Sequence, residues 1–316
     1  MTTLLFAHDS FGRHETPPGH PERPDRYAAV EHALSAASFA DLVRREPPIG
    51  AREIVERAHP ATYVDAIDDA RPRTPEDRAA LDPDTHLGPS TWEAALRAVG
   101  GAAAGVDAVF AGEADNAFVA SRPPGHHAEP ARAMGFCGFN TAVAAALHAR
   151  AAHGATRVAV VDFDVHHGNG TEAAFWSDEN AFFASSHEYP QYPGTGRETD
   201  RGAFDNVANA PLPTGTDGDG LRRAWGEKLL PALDDFDPDI IVVSAGFAAH
   251  RADPLGGLEL TAADFGWLTR EIVAVARARC GGRVVSVLEG GYDLNGLGAS
   301  VASHVGALMG LDGARA

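Results

Sequence analysis

Short apolar runs, each about one strand long, alternate along this chain with longer stretches of helical periodicity. Residues 158–161 (VAVV), 240–244 (IIVVS) and 284–288 (VVSVL) are β-branched runs with almost no polar break. Such runs fit strands buried on both faces of a parallel sheet. Residues 4–7, 116–121 (NAFVAS) and 181–186 (AFFASS) read as further strands. Helices are predicted over 27–38, 61–69, 90–111, 140–153, from 171 onward, 221–235, 261–280 and 297–309. Residues 53–59 read as a short strand or turn. Residues 71–83 read as an irregular loop, and so do 202–219, where Gly and Pro follow one another quickly. In the long helix, Gly100-Gly101 predicts either tight packing or a break. Strands alternate with helices throughout, with no repeat and no linker, so residues 1–316 are expected to form one α/β domain around a largely parallel sheet.

Polar side chains collect where several of these strands end. The run at 158–161 is followed by Asp162, Asp164, His166 and His167 within six residues. Alternate residues of an extended chain point the same way, so Asp162, Asp164 and His166 share a side. Carboxylate and imidazole at that spacing can chelate a divalent metal such as zinc. Strand 116–121 delivers Pro123-Pro124-Gly125, a rigid turn that can hold His126 and His127 in fixed orientation. The last strand delivers Glu289-Gly290-Gly291-Tyr292. Ligands of open α/β sheets bind beyond the carboxyl ends of the strands. The composition of that edge suits a mononuclear metallohydrolase. Asp164 and His166 would be ligands, one paired histidine the general base and the other its electrostatic or acid partner. Tyr292 could donate to a developing oxyanion, and Asp162 and Asn169 could fix the histidine tautomers. A rim aromatic without chemistry is the plainer reading of Tyr292.

Composition adds bounds. The net charge of −18, from 26 basic and 44 acidic residues, argues against non-specific nucleic-acid binding. It would favour a small cationic substrate, and equally it would serve solubility or a salt-tolerant host. Two cysteines cannot build a disulfide framework, which suits the cytoplasm. There is no apolar run of about 18 residues, so no membrane span is expected, and the first residues lack a signal-peptide pattern.

The motifs HPERPDR (20–26), RPPGHHA (122–128), GFCGFN (135–140), VDFDVHHGNGT (161–171), YPGTG (192–196), SAGF (244–247), DPLGG (253–257) and EGGY (289–292) occur in this order. Together they resemble the zinc-dependent histone deacetylase and acetylpolyamine amidohydrolase family. Asn169 in HHGN is similar to the class II and bacterial branch. The resemblance implies an arginase–deacetylase fold with about eight strands, and hydrolysis of an acetyl (acyl) amide on a lysine or polyamine nitrogen. It implies Zn²⁺ held by Asp164 and His166, tandem catalytic histidines His126 and His127 backed by Asp162 and Asn169, and Tyr292 polarising the carbonyl. Phe136 and Tyr192 would wall an acyl-lysine tunnel with Leu255 at its rim, and Gly290 and Gly291 would contact substrate. Arg26 would support the inner cavity. Asp162, Asp164, His166, Ser185 and Ser186 would form a structural K⁺ site, largely through backbone carbonyls.

One position departs from the family pattern. The third zinc ligand is an aspartate directly after SAGF, and here that residue is Ala248. Asp253 is a separate residue of the pattern and is not assigned that role. Losing a carboxylate ligand should cost at least the 10–100-fold typical of losing its supporting partners. The expectation is an impaired variant of an active deacetylase. A catalytically dead acyl-lysine or polyamine-binding pseudoenzyme is the alternative. A dinuclear manganese hydrolase of the arginase kind would need more Asp and His ligands than one Asp-x-His pair. The expected partner is an acetylated small amine or acetyl-lysine, with no nucleic acid and no membrane.

Overall fold

The computed structural model of the chain describes residues 1–74 and 77–311. Among the described residues, ten strands alternate with eleven α-helices. In chain order they are β1 (Thr3–Phe6), α1 (Asp9–Arg13), α2 (Asp25–Leu34), β2 (Val43–Arg45), α3 (Arg52–Ala58), α4 (Ala61–Ala70), β3 (Ala79–Ala80), β4 (His86–Leu87) and α5 (Thr91–Phe110). Next come β5 (Asn116–Val119), α6 (Thr141–His153), β6 (Val158–Asp162), α7 (Asn169–Phe175), β7 (Ala181–Glu188), β8 (Val207–Leu212), α8 (Gly218–Ala224) and α9 (Leu230–Phe236). The last are β9 (Ile240–Ala245), α10 (Ala262–Arg279), β10 (Val284–Leu288) and α11 (Leu294–Met309). A π-helical turn, Trp225–Leu229, joins α8 to α9.

Eight strands form one sheet in the order β2-β1-β5-β10-β9-β6-β7-β8. Every pairing in it is parallel. β6, β9 and β10 are buried at every residue, because helices cover both faces and leave no polar side for the strands to show. Two hydrophobic cores result. One lies under α2, α10 and α11, around Phe118, Phe163, Phe247 and Trp225. The other lies under α5 and α6, around Phe6, Val160, Phe183 and Val287. β10 sits in the middle of the sheet although it is the last strand among the described residues, paired with β5 on one side and β9 on the other.

Several expectations are corrected. Residues 53–58 lie in helix α3 rather than a strand or turn, and His59 is its extended C-cap: the helix buries Val55 and Ala58, three apart, and carries an Arg52–Glu56 ion pair at i,i+4. The stretch 202–219 contains β8, hidden by Pro211. β8 is an edge strand hydrogen-bonded only to β7, and an edge tolerates a proline that a central strand would not. β2, three exposed residues at the opposite edge, has no apolar face that would mark it in the sequence. The 71–83 loop ends in the β3–β4 hairpin, and its residues 75–76 lie outside the described residues. α5 runs unbroken through Gly100-Gly101. A Cβ on Gly100 would stand 2.1 Å from the Pro48 carbonyl oxygen, so this glycine serves close packing. No helix among the described residues is long and apolar enough to cross a membrane.

His304, on α11, is fully buried between Thr269 Oγ1 (2.7 Å from Nδ1) and Ser286 Oγ (2.8 Å from Nε2). Burial lowers its pKa to about 3, so it folds neutral. A histidine whose folded pKa is depressed gives its full contribution above the unfolded value of about 6.5 and loses it as pH falls. This one group is expected to cost about 1.4 kcal/mol of stability per pH unit between roughly pH 6 and 4. Urea melts at several pH values should give a flatter profile for His304→Gln; an unchanged slope would refute this origin.

Candidate active site

The carboxyl ends of β5, β6, β9 and β10 carry the polar motifs to one edge of the sheet. Asp162 closes β6 in register with Ser244 of β9 and Ser185 of β7. Past it the chain turns through Asp164, His166 and His167 into α7. The turn is held by Asp164 N–H on Asp162 Oδ1 (3.0 Å) and His166 N–H on Asp164 Oδ1 (2.9 Å). The carboxylate of Asp164 fits where two glycines leave room. A Cβ on Gly246 would come 1.8 Å from Asp164 Oδ2, and one on Gly290 would come 2.4 Å from it. Gly290 N–H donates to the same oxygen at 2.8 Å.

The loop after β5 presents the histidine pair, with ring centroids 4.0 Å apart and both side chains buried. His126 Nδ1 donates to Asp162 Oδ2 at 2.9 Å, and His127 Nδ1 donates to Asn169 Oδ1 at 2.9 Å. One histidine is thus backed by a charge and the other by a neutral amide. Burial opposes charge on His126, but Asp162, with help from Glu289 and Asp164, overcomes it and raises the pKa to about 10. His127 goes the other way: burial, then the nearby His126 and His166, hold it well below the usual range. In both, Nε2 is the nitrogen left for substrate or water.

A cavity of about 210 Å³ opens onto these groups. It is lined by His127, His166, Phe136, Tyr192, Leu255 and Tyr292, with Asp84, Gly135 and Gln191. The Phe136 and Tyr292 rings meet edge to face at 5.9 Å, and Tyr192 stands 5.1 Å from His127 and 6.1 Å from His166. Burial raises the Tyr292 phenol well above its ordinary pKa despite Arg26 beside it, so the hydroxyl keeps its proton to donate. Arg26 lies over the Tyr292 ring at 4.8 Å and donates to the Gly291 and Glu289 carbonyls at 2.6 and 2.5 Å.

Asp164 Oδ1 and His166 Nδ1 stand 3.2 Å apart. Two donors on one edge of a zinc tetrahedron stand about 3.3 Å apart, so this pair fits the metal. The third position does not. Ala248 is fully buried beside Gly290, where its methyl contributes no donor. Among the described residues no third His, Cys, Asp or Glu atom lies within 4.8 Å of both ligand atoms. Asp253 is committed elsewhere: Oδ2 accepts the Tyr292 and Asp293 N–H groups at 2.6 and 3.2 Å, and Oδ1 accepts Leu255 N–H at 3.0 Å. Ser185 and Ser186 lie on β7 beside this turn. Ser185 Oγ is bonded to His187 Nδ1, and Ser186 Oγ accepts from the Trp225 indole. Both hydroxyls have partners, so a cation here would be left to main-chain oxygens.

Several supporting residues lie within the quoted motifs but were given no role by sequence. Glu289 is buried, with Oε2 accepting the Gly125 and His126 N–H groups at 2.6 and 3.1 Å and Oε1 accepting Ser244 Oγ–H at 3.1 Å. It ties β10 and β9 to the histidine loop, and burial raises its pKa to about 7. Glu22 is buried between Arg122 (Nε 2.5 Å, Nη2 2.6 Å) and Arg26 (Nη1 2.9 Å), with His14 Nε2 at 3.3 Å. Arg122 also donates to the Phe11 and His14 carbonyls at 2.5 and 3.2 Å. The signal was there, a charged residue one to four positions from each assigned one, but nothing in the sequence says that these charges are buried.

Comparison with known proteins agrees with this geometry. Residues 20–308 match the histone deacetylase domain. The chain is 40% identical over 283 residues to the histone deacetylase-like amidohydrolase of Pseudomonas aeruginosa, covering 87% of this chain and 73% of that one. It is 36% identical over 302 residues to a probable deacetylase of Archaeoglobus fulgidus, covering 94% and 83%. The crystal structure of the HDA15 HD domain superposes with a TM-score of 0.90 at 32% identity, covering 98% of this chain and 89% of that one. With its eight parallel strands, its histidine pair and its EGGY tyrosine, the chain belongs to the histone deacetylase family of amidohydrolases, in the arginase–deacetylase fold.

Proposed function

We propose that the chain is a zinc-dependent deacetylase scaffold for acetyl amides of lysine or polyamine nitrogens, impaired because Ala248 leaves its metal centre one carboxylate short. The observation that carries this is the convergence of His127, His166 and Tyr292 on one aromatic-walled cavity, with His126 packed against His127 and Asp164 against His166. In a completed centre, zinc would supply a water acidified to a pKa of roughly 7 and a Lewis acid for the amide carbonyl. The chain supplies the rest. His127, neutral and aligned by Asn169, accepts the proton of the attacking water at Nε2. His126, aligned by Asp162, carries positive charge beside it and can protonate the leaving amine. Tyr292 donates its hydroxyl to the oxyanion, held there by Arg26 and Asp253. Phe136 and Tyr192 admit a narrow aliphatic chain. Leu255 narrows the mouth, and Gly290 and Gly291 let backbone approach the substrate. A structural K⁺ on main-chain oxygens of Asp162, Asp164, His166, Ser185 and Ser186 would brace the β6 turn. The cytoplasm remains the compartment that two unpaired cysteines suit.

The buried Ala248 methyl favours a second reading, a non-catalytic binder of acyl-lysine or acylpolyamine. A binder needs no aligned histidine pair, and that pair is intact. For substrate choice, small acetylated amines and acetyl-lysine peptides are expected to be used ahead of folded acetyl-proteins. The check is kcat/KM for acetylputrescine, acetylspermidine and acetyl-lysine peptides on the Ala248→Asp protein. A preference for large folded acetyl-proteins over every small amine would refute it.

A further inference from the structure

At the other edge of the sheet, three metal-ligating side chains that the proposed chemistry does not use meet between α5 and α6. Asp107 is three residues from the end of α5, and His148 and His153 lie on the last turns of α6. Both helices then lead directly into strands, α5 into β5 and α6 into β6. The cluster therefore lies where strands begin, whereas the paired histidines lie where they end. His148 Nε2 and His153 Nε2 both stand 2.7 Å from the same oxygen, Asp107 Oδ1. All three donor atoms lie within 4.8 Å of one another, the one such set of three His, Cys, Asp or Glu groups among the described residues.

We infer that Asp107, His148 and His153 form a second metal site, for a divalent transition ion of the zinc type. Two imidazoles and one carboxylate are a donor set of borderline softness that zinc accepts with a fourth, open position. In a zinc tetrahedron the donors stand about 3.3 Å apart, so they must open by roughly 0.6 Å from their present hydrogen bonds. The side chains of Asp107 and His153 are 53% and 24% exposed and can rotate that far, while His148, at 9%, is the fixed member. Phe110 stacks on His153 at 4.7 Å and limits its ring to sliding in plane.

One contact opposes the ion. Arg57 Nη1 stands 2.6 Å from His148 Nδ1 and donates to it. That holds His148 in the tautomer whose Nε2 carries the proton, pointing it at Asp107. To bind metal through Nε2, the ring must move its proton to Nδ1, and then two donors face each other. Arg57 must swing away. It sits only half-buried on α3, so its guanidinium is not locked in the interior. Arg57 therefore competes with the metal, and its removal should tighten binding.

The test titrates the purified full chain, stripped by chelator, with Zn²⁺ against a chromogenic competitor. His166→Ala is used as background so that the active-site pair does not contribute. One saturable equivalent is expected there. Adding His153→Ala or Asp107→Asn should weaken it at least tenfold, and adding Arg57→Ala should tighten it several-fold. Co²⁺ should give the visible bands of a low-symmetry nitrogen–oxygen site in the background and lose them with His153→Ala. Far-UV circular dichroism checks that each variant is folded. The inference is overturned if zinc binding survives His153→Ala and Asp107→Asn together, if His166→Ala alone abolishes it, or if Arg57→Ala leaves affinity unchanged or lower. None of these readouts depends on acetyl-amide turnover, so this site and the proposed activity stand or fall separately.

Discussion

Ala248→Asp is expected to raise kcat/KM on acetylated amines by at least about 100-fold over the chain as it stands, which should have little or no measurable turnover. The position needs only a donor. It lies three residues past the end of β9, is fully buried, and adjoins Gly290, whose N–H already bonds the Asp164 carboxylate. An aspartate there would complete three protein ligands and an open fourth position. Zinc content should rise by one equivalent per chain, counted in a His153→Ala background to exclude the site between α5 and α6. In the restored protein Tyr292→Phe should lower kcat by about 10²–10³ while leaving KM nearly unchanged, because the hydroxyl acts on charge that appears in the transition state. A restored centre that holds zinc and hydrolyses no acetyl amide would show the functional reading to be wrong. Robust turnover by the unmodified chain would show that another group completes the centre.

Glu22→Leu is expected to be the most damaging single change to stability, by about 3–5 kcal/mol. Glu22 is completely buried, and it is the carboxylate bonded to Arg26 and Arg122, both buried as well. Burial works against its charge, but Arg122, His14 and Arg26 together hold it well below the usual carboxylate range. Removing it strands two guanidinium groups in the interior. For a chain of this size the loss should appear as a fall in Tm of about 10 °C or more, or as failure to accumulate soluble protein. The exposed pair Arg201–Asp205 gives the contrast, since Arg201→Ala should change stability by less than about 1 kcal/mol. Comparable small effects for both variants in urea melts would show that the buried network is not a brace.

Much of the architecture was legible because parallel sheets write themselves in apolar runs. Residues 158–161, 240–244 and 284–288 have few alternatives to a doubly covered strand, and each appears where expected. The edge strands were illegible for the opposite reason. β2 and β8 need only one hydrogen-bonded neighbour, so their sequences are free to carry arginines or a proline. The reactive groups were readable because they cluster in short motifs at strand ends. Their buried supports were not, because Glu22, Arg122 and Glu289 are partnered by residues a hundred or more positions away. The Asp107 cluster escaped for the same reason: its members lie on two helices, 41 and 46 positions apart, with no shared motif.

The central place of β10 bears on how the chain is made. Until Val284–Leu288 has left the ribosome, β1, β2 and β5 can assemble only as one half-sheet and β6 to β9 only as another, because the strand joining them does not yet exist. Each half exposes an open apolar edge, and the two can close only after residues 284–288 are synthesised. Parallel pairing across such distances is slow and exposes unpaired edges meanwhile. Translation of this protein therefore passes through a long interval in which two incomplete half-sheets wait for one late strand, and its yield in a cell should depend on chaperones that shield nascent edges during that interval.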